Sequence, residues 1–256
     1  IKMNSSGVYQ WHDEIGGTGE EVPRSIAYDG NGNVVVLGRY TASTSLGVAG
    51  SVTNLGNYDG FIIKYSDTGT HQWTQTIRSS SQDNFSSIVA DASGNLFVSG
   101  QTFGNITFGS AGTMNPTGLY DGYITQLDST GAFQWFVQAS GDGVEGFSDM
   151  VIDNTTNDLY VIGTYSGANT SIAGQPSVNV DGSVDGFIAK MNLSGSVSDI
   201  RYFTGSGYTS PADVTIDSND NYFVLTTLNN VGDFGPAGTA SSTAGYDIAV
   251  VFSPAF

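Results

Sequence analysis

The sequence predicts an all-β protein, a β-propeller of four four-stranded blades, and three observations carry that expectation. A segment of about 62 residues recurs four times along the chain, the signature of a repeat architecture. Each copy holds four short runs rich in Val, Ile, Phe, Tyr and Thr between Asp/Asn/Gly turns, with no sustained helical period. The chain opens on the last strand of a copy and ends on the third, so the N-terminal strand is expected to complete the final blade.

The elements follow from the landmarks in order. Strand A, around Ser25–Asp29, leads into a polar turn, Asp29-Gly-Asn-Gly-Asn33, and strand B over Asn33–Tyr40. The same turn recurs at Asp91-Ala-Ser-Gly-Asn95, from Asp153 to Asp158, and at Asp217-Ser-Asn-Asp-Asn221. Asx side chains that bond their own following amides make such turns, so these aspartates are read as architectural. Strand C, Gly60–Ser66, opens on Tyr58-Asp59-Gly60-Phe61, repeated at Tyr120-Asp121-Gly122-Tyr123, Val184-Asp185-Gly186-Phe187 and Tyr246-Asp247-Ile248. Those aspartates stand 62, 64 and 62 residues apart. A turn ending at Gly69, Gly131 or Gly195 then gives strand D, Gln72–Ile77 in the first copy. Strand D carries His71-Gln-Trp73 and Phe133-Gln-Trp135, matched at the N-terminus by Tyr9-Gln-Trp11, with Asp199 where a fourth Trp would stand. A four-stranded antiparallel meander at a fixed period is a propeller blade.

The phase sets the expected closure. Residues 1–256 form one propeller domain, with repeats at about 17–78, 79–140, 141–204 and 205–256 plus 1–16. Strand D at Val8–Glu14 joins A, B and C of the last copy, which removes exposed sheet edges. The matched ends favour four blades in one ring over an arc of a larger ring.

Composition bounds the function. Lys and Arg number 7 against 24 Asp and Glu, a net charge of −17, which opposes nucleic acid and anionic membranes alike. Membrane insertion is not expected, since no apolar run approaches the ~18 residues of a span. Cysteine is absent, which excludes disulfides and thiolate metal sites. The start at Ile1-Lys2 suits a processed product or an excised domain. Catalysis has little support: His12 and His71 are the two histidines, and no Gly-x-Ser-x-Gly, His-Glu-x-x-His or phosphate-cradling loop occurs.

At the landmarks the sequence resembles the β-propeller repeat family, often called seven-bladed, of bacterial exported and surface proteins. Asp91 to Gly100, Asp121 to Leu127 and Gly131 to Trp135 carry the pattern most completely. Thr226 stands at the usual Gly position in the last repeat, and the third D strand lacks Trp. The resemblance implies export and interaction, and names no reaction or ligand.

The candidate sites are weighed against architecture. Asp59, Asp121, Asp185 and Asp247 open strand C, and Glu21, Asp83, Glu145 and Thr209 precede strand A at the same end of the blades. Rings of hard oxygen ligands there could hold Ca²⁺. The stronger reading is that each Asp caps turn amides. No other cofactor is expected. Trp11, Trp73 and Trp135 could stack on sugars, but their pattern favours a packing face between blades. Asp199 and Arg201, two residues apart in a strand, are expected to form a surface ion pair. The long B–C connections, 41–58, 101–120, 164–184 and 227–246, vary in sequence and rise from one face. That face is where recognition is expected. The expectation is a non-enzymatic recognition or adhesion module, extracellular or on a cell or virion surface, binding a protein or glycan. The alternatives are a structural part of a virion fibre, sheath or surface layer, and a glycan-active enzyme.

Overall fold

Local chemistry makes the meanders, and a computed structural model of the chain shows them. It describes residues 1–219 and 221–253, with residues 244, 252 and 253 described by their backbone alone. The chain is all-β, with three short 3₁₀ turns as its helical elements among the described residues. Unit 1 pairs A (Glu21–Tyr28), B (Val34–Tyr40), C (Asp59–Tyr65) and D (His71–Ile77) in sequence order. Unit 2 repeats this with Asp83–Ala90, Leu96–Thr102, Asp121–Leu127 and Phe133–Ser140. Unit 3 does so with Glu145–Asp153, Asp158–Tyr165, Asp185–Asn192 and Val197–Gly205. Unit 4 has A (Tyr208–Ile216), B (Tyr222–Asp233) and C (Thr239–Ser253).

The turns act as their residues dictate. Asp29 Oδ1 accepts the amides of Asn31 and Asn33 at 2.9 and 3.0 Å, and Asn33 Nδ2 donates to Oδ2 at 2.7 Å. Asp91 and Asp217 hold the same three bonds, and Asp153 takes the amides of Thr155 and Thr156. Asp220, inside the last of these turns, lies outside the described residues. Strand A starts four residues earlier than the sequence suggested, at Glu21, and passes through a bulge between Pro23 and Ser25. Units 2, 3 and 4 carry the bulge at the matching place.

Successive units pack A strand to A strand, unit 1 on 2, 2 on 3 and 3 on 4. Side chains from B and C of one unit and from A and B of the next share a buried cluster: Val35, Leu37 and Ile62 with Ile88, Leu96 and Val98 at the first junction. Phe97 and Ile124 with Met150, Leu159 and Val161 repeat it, as do Tyr160, Ile162 and Ile188 with Val214, Tyr222 and Val224. Each junction is clasped by backbone bonds, among them Asp83 N to Tyr58 O (3.0 Å), Glu145 N to Tyr120 O (2.7 Å) and Thr209 N to Val184 O (2.8 Å).

The expected closure is not formed. The N-terminal strand Tyr9–Trp11 pairs with Lys2–Met3, while C of unit 4 pairs with B of unit 4. The physical reason is a register overlap. Lys2 faces Trp11 as Lys64 faces Trp73, so Lys2–Met3 already holds the strand-C place beside this D strand. The hairpin docks on unit 1: Trp11 Nε1 donates to Asp67 O at 2.9 Å, as Trp73 Nε1 does to Ser129 O at 3.1 Å. Unit 4 and unit 1 do not lie against each other as successive units do, among the described residues.

Candidate functional site

The acids of the C and A strands meet in pairs rather than in a ring. Asp59 lies beside Asp83, and Asp121 beside Glu145, one pair at each of the first two junctions, all four fully buried. At the third junction Asp185 faces a unit whose strand A carries Thr209 in place of the acid. Each strand-C aspartate is engaged by its own loop four residues upstream. Asp59 Oδ2 accepts the Leu55 amide, Asp121 Oδ2 the Thr117 amide, Asp185 Oδ2 the Asp181 amide and Asp247 Oδ2 the Thr243 amide. This is capping of the loop that enters strand C. Among the described residues no three His, Asp or Glu side chains converge as a metal site.

Burial governs the electrostatics of the pairs. It pushes the Asp83 carboxyl up to about 6, against hydrogen bonds from Thr102 and Ser79, with the Asp59 charge adding to the rise. It carries Glu145 up to about 7, against the Thr170 hydroxyl, with Asp121 adding to the rise. Asp59 and Asp185 are also raised, first by burial. Asp59 Oδ1 and Glu145 Oε2 have no hydrogen-bond partner among the described residues. Burial thus disfavours the charged form of Asp83 and Glu145 in the folded chain. The hydroxyls of Ser79 and Thr102 donate to Asp83, and that of Thr170 donates to Glu145.

The opposite end of the units reverses the sign. Burial opposes the charge of Asp29, yet Lys64 Nζ at 2.8 Å and the Asn33 contacts hold its carboxyl down to about 2. Lys64 also donates to Ser129 O in unit 2, at 3.2 Å, so the ion pair ties two units together.

The tryptophans are packing residues. Trp11, Trp73 and Trp135 lie over Gly69, Gly131 and Gly195 of the following unit's C–D turn, where a Cβ would meet the indole. These glycines have φ of +81°, +87° and +88°, so the turn needs glycine for its backbone as well as for the indole. In unit 3 the expected Asp199–Arg201 pair is replaced by separate bonds. Asp199 Oδ1 accepts the Ile200 amide, and Arg201 Nη1 donates to Tyr222 Oη at 2.8 Å.

The B–C connections build the other face. Each tucks apolar side chains inward, among them Leu46, Phe108, Ile172 and Phe234, all buried. In three of the four, the next residues form a 3₁₀ turn of the form Gly-x-Ala. This fifth landmark is readable in the sequence as Gly47-Val-Ala-Gly50, Gly109-Ser-Ala-Gly112 and Gly235-Pro-Ala-Gly238, a signal that the apolar residues before it carry only in part. Between the connections of units 1 and 2 lies a groove of about 430 Å³, lined by Leu55, Thr76, Arg78, Ser79, Asn105 and Thr107. Arg78 is exposed there and fixed by a bond from Nη1 to Thr53 O at 3.1 Å. His12 and His71 lie away from this groove, His12 on Tyr9 Oη and His71 on Thr74 Oγ1.

No known protein-family pattern matches the chain. The chain is similar to an uncharacterized WD repeat-containing protein of Acanthamoeba polyphaga mimivirus, 24% identical over 226 residues. The match covers 74% of this chain and 16% of that protein, so the chain spans well under a fifth of its relative. Together with the repeated four-stranded meanders, this likeness suggests a β-propeller type of repeat family.

Proposed function

We propose that the units are four blades of a propeller and that the chain is a non-enzymatic recognition module, exported or displayed on a particle. Its ligand is a glycan or a protein, met by the face of the B–C connections. The observation that supports this reading is the groove between the first two connections. It offers a fixed guanidinium, hydroxyls and an amide beside the exposed Leu55, and a mix of polar and apolar groups suits a sugar or peptide. In a chain of net charge −17, Arg78 gives that place a positive charge that attracts an acidic or polar group.

Glycan-array and surface-protein binding test the reading. Arg78→Ala should cut binding at least tenfold with the melting temperature unchanged. Binding that survives both this change and exchange of the 101–120 connection for that of unit 1 would place recognition elsewhere. A second reading, a structural part of a virion or surface layer, is favoured by the apolar faces left open at both ends of the array. Turnover of a glycan has no comparable support.

A further inference from the structure

Seven Lys and Arg stand against 24 Asp and Glu in this chain, so acidic partners are plentiful for every cation. Each of the three lysines has one: Lys2 pairs with Asp67, Lys64 with Asp29 and Lys190 with Asp158. Arg24 and Arg39 of unit 1 do the reverse. They make no ion pair among the described residues, and they lie close enough to repel each other. Burial lowers the Arg24 guanidinium from its ordinary value and the Arg39 charge lowers it further, while Glu20 and then Tyr58 act against both.

The fold brings the two arginines together by different routes. Arg24 is the extra residue of the strand-A bulge between Pro23 and Ser25, and a bulge re-aims its side chain. Arg39 stands opposite Gly60 near the end of strand B and reaches across the first junction. There its Nη1 donates to Asn84 Oδ1 of unit 2 at 2.9 Å. Its guanidinium lies over the Tyr58 ring, 4.0 Å from the centroid. A neutral amide and an aromatic face thus hold this charge, and Nε has no hydrogen-bond partner among the described residues.

The other units show that the architecture does not require the pair. Their bulges carry Ser86, Ser148 and Ala212, and their strand-B place holds Gln101, Thr164 and Thr227. Every one of these is neutral. Unit 1 therefore gathers two cations at a place where the repeat needs none.

We propose that Arg24 and Arg39, with Tyr58 and Asn84, form an anion site for a small ligand that bears one carboxylate or phosphate group. An oxyanion at the two guanidiniums relieves their repulsion and accepts charge-assisted hydrogen bonds from them. A long polyanion is disfavoured, because a chain of net charge −17 repels each further group along it. The site is distinct from the groove near Arg78, which neither arginine lines, so either can fail without the other.

The repeat supplies the controls for a test. Arg24→Ser and Arg39→Gln give unit 1 the residues that unit 2 already carries. Inorganic phosphate and glucuronate are each titrated by calorimetry at constant ionic strength. Saturable binding of at least one is expected in the native protein and in Arg78→Ala. Arg24→Ser and Arg39→Gln should each weaken it about tenfold or more, the loss of one charge-assisted contact. The tighter of the two anions tells a phosphate ligand from a carboxylate one. Without anion, Arg24→Ser should melt no lower than the native protein, since only a repulsion is removed. With anion, the native protein alone of these two should gain in melting temperature. Arg24 is exposed, so its variant carries the test even where Arg39→Gln disturbs folding. No saturable binding of either anion to the native protein would overturn the proposal, as would equal affinity in Arg24→Ser.

Discussion

Ile88 and Ile26 occupy the same place in two copies of one strand, and their surroundings could hardly differ more. Ile88 is packed among Val35, Leu37 and Ile62 of the preceding unit, while Ile26 faces a groove shared with Ile1, Met3 and Trp11. The repeat therefore encodes a junction as well as a meander. A unit's strands form from its own turns and alternation, but one of its apolar faces is buried by a neighbour, as in other repeat proteins. What a side chain contributes depends on which junction it lands in.

The sharpest way to break that comparison is to cut the two isoleucines back. Ile88→Ala removes buried methyl groups from a full junction and should cost about 2–5 kcal/mol in denaturant unfolding. Ile26→Ala, measured in dilute protein, should stay within about 0.5 kcal/mol, as exposed positions do. Equal losses at the two sites would mean that the first unit is covered in solution even as a single chain.

The second prediction compares the acid pairs with the third junction. Asp83 and Glu145 have carboxyls raised above their ordinary values in the folded chain, so folding takes up protons as these groups titrate. Their contribution is fully present below about pH 4 and is lost as pH rises through about 6 to 7, on the order of 1–3 kcal/mol each. Thermal unfolding should therefore occur at lower temperature at pH 8 than at pH 5. Glu145→Gln should flatten that slope, whereas Thr209→Ser at the third junction should leave it alone. Asp29 works in the opposite sense: its carboxyl, held at about 2, loses its contribution as pH falls from about 4 through 2. A slope that persists with both Asp83→Asn and Glu145→Gln would remove the buried pairs as its source.

The smallest expected effect concerns calcium. The four strand-C aspartates spend an oxygen on their own loops, so adding EDTA to protein in millimolar Ca²⁺ should move the melting temperature by less than about 1 °C. A bound ion in excess would add several kcal/mol instead.

Much of this was legible in the residues themselves. The Asp-x-x-Gly-Asn turns, the Asp before strand C and the Gly before strand D act within five or six residues, so the sequence shows their bonds almost directly. The tryptophan face was also legible, because Trp11, Trp73 and Trp135 share one register with the following glycine turns. The early start of strand A was missed, since Glu21–Arg24 contains a proline and a bulge that break the alternation. The strand at Lys2–Met3 was missed too, although Lys2-Met3-Asn4 followed by Ser6-Gly7 repeats Lys190-Met191-Asn192 followed by Ser194-Gly195. Reading that match would have shown that the N-terminal D strand brings its own partner.

The sequence by itself determined the repeat, its four strands, its turns and the residues that face a neighbour, because those depend on period-two alternation and on side chains bonding nearby amides. Only the tertiary structure decided which neighbours are present, that the acids meet in twos across junctions, and that the last unit does not close on the first strand. Those outcomes depend on how rigid wedges add up over some two hundred residues, and no local pattern of bonds records that sum.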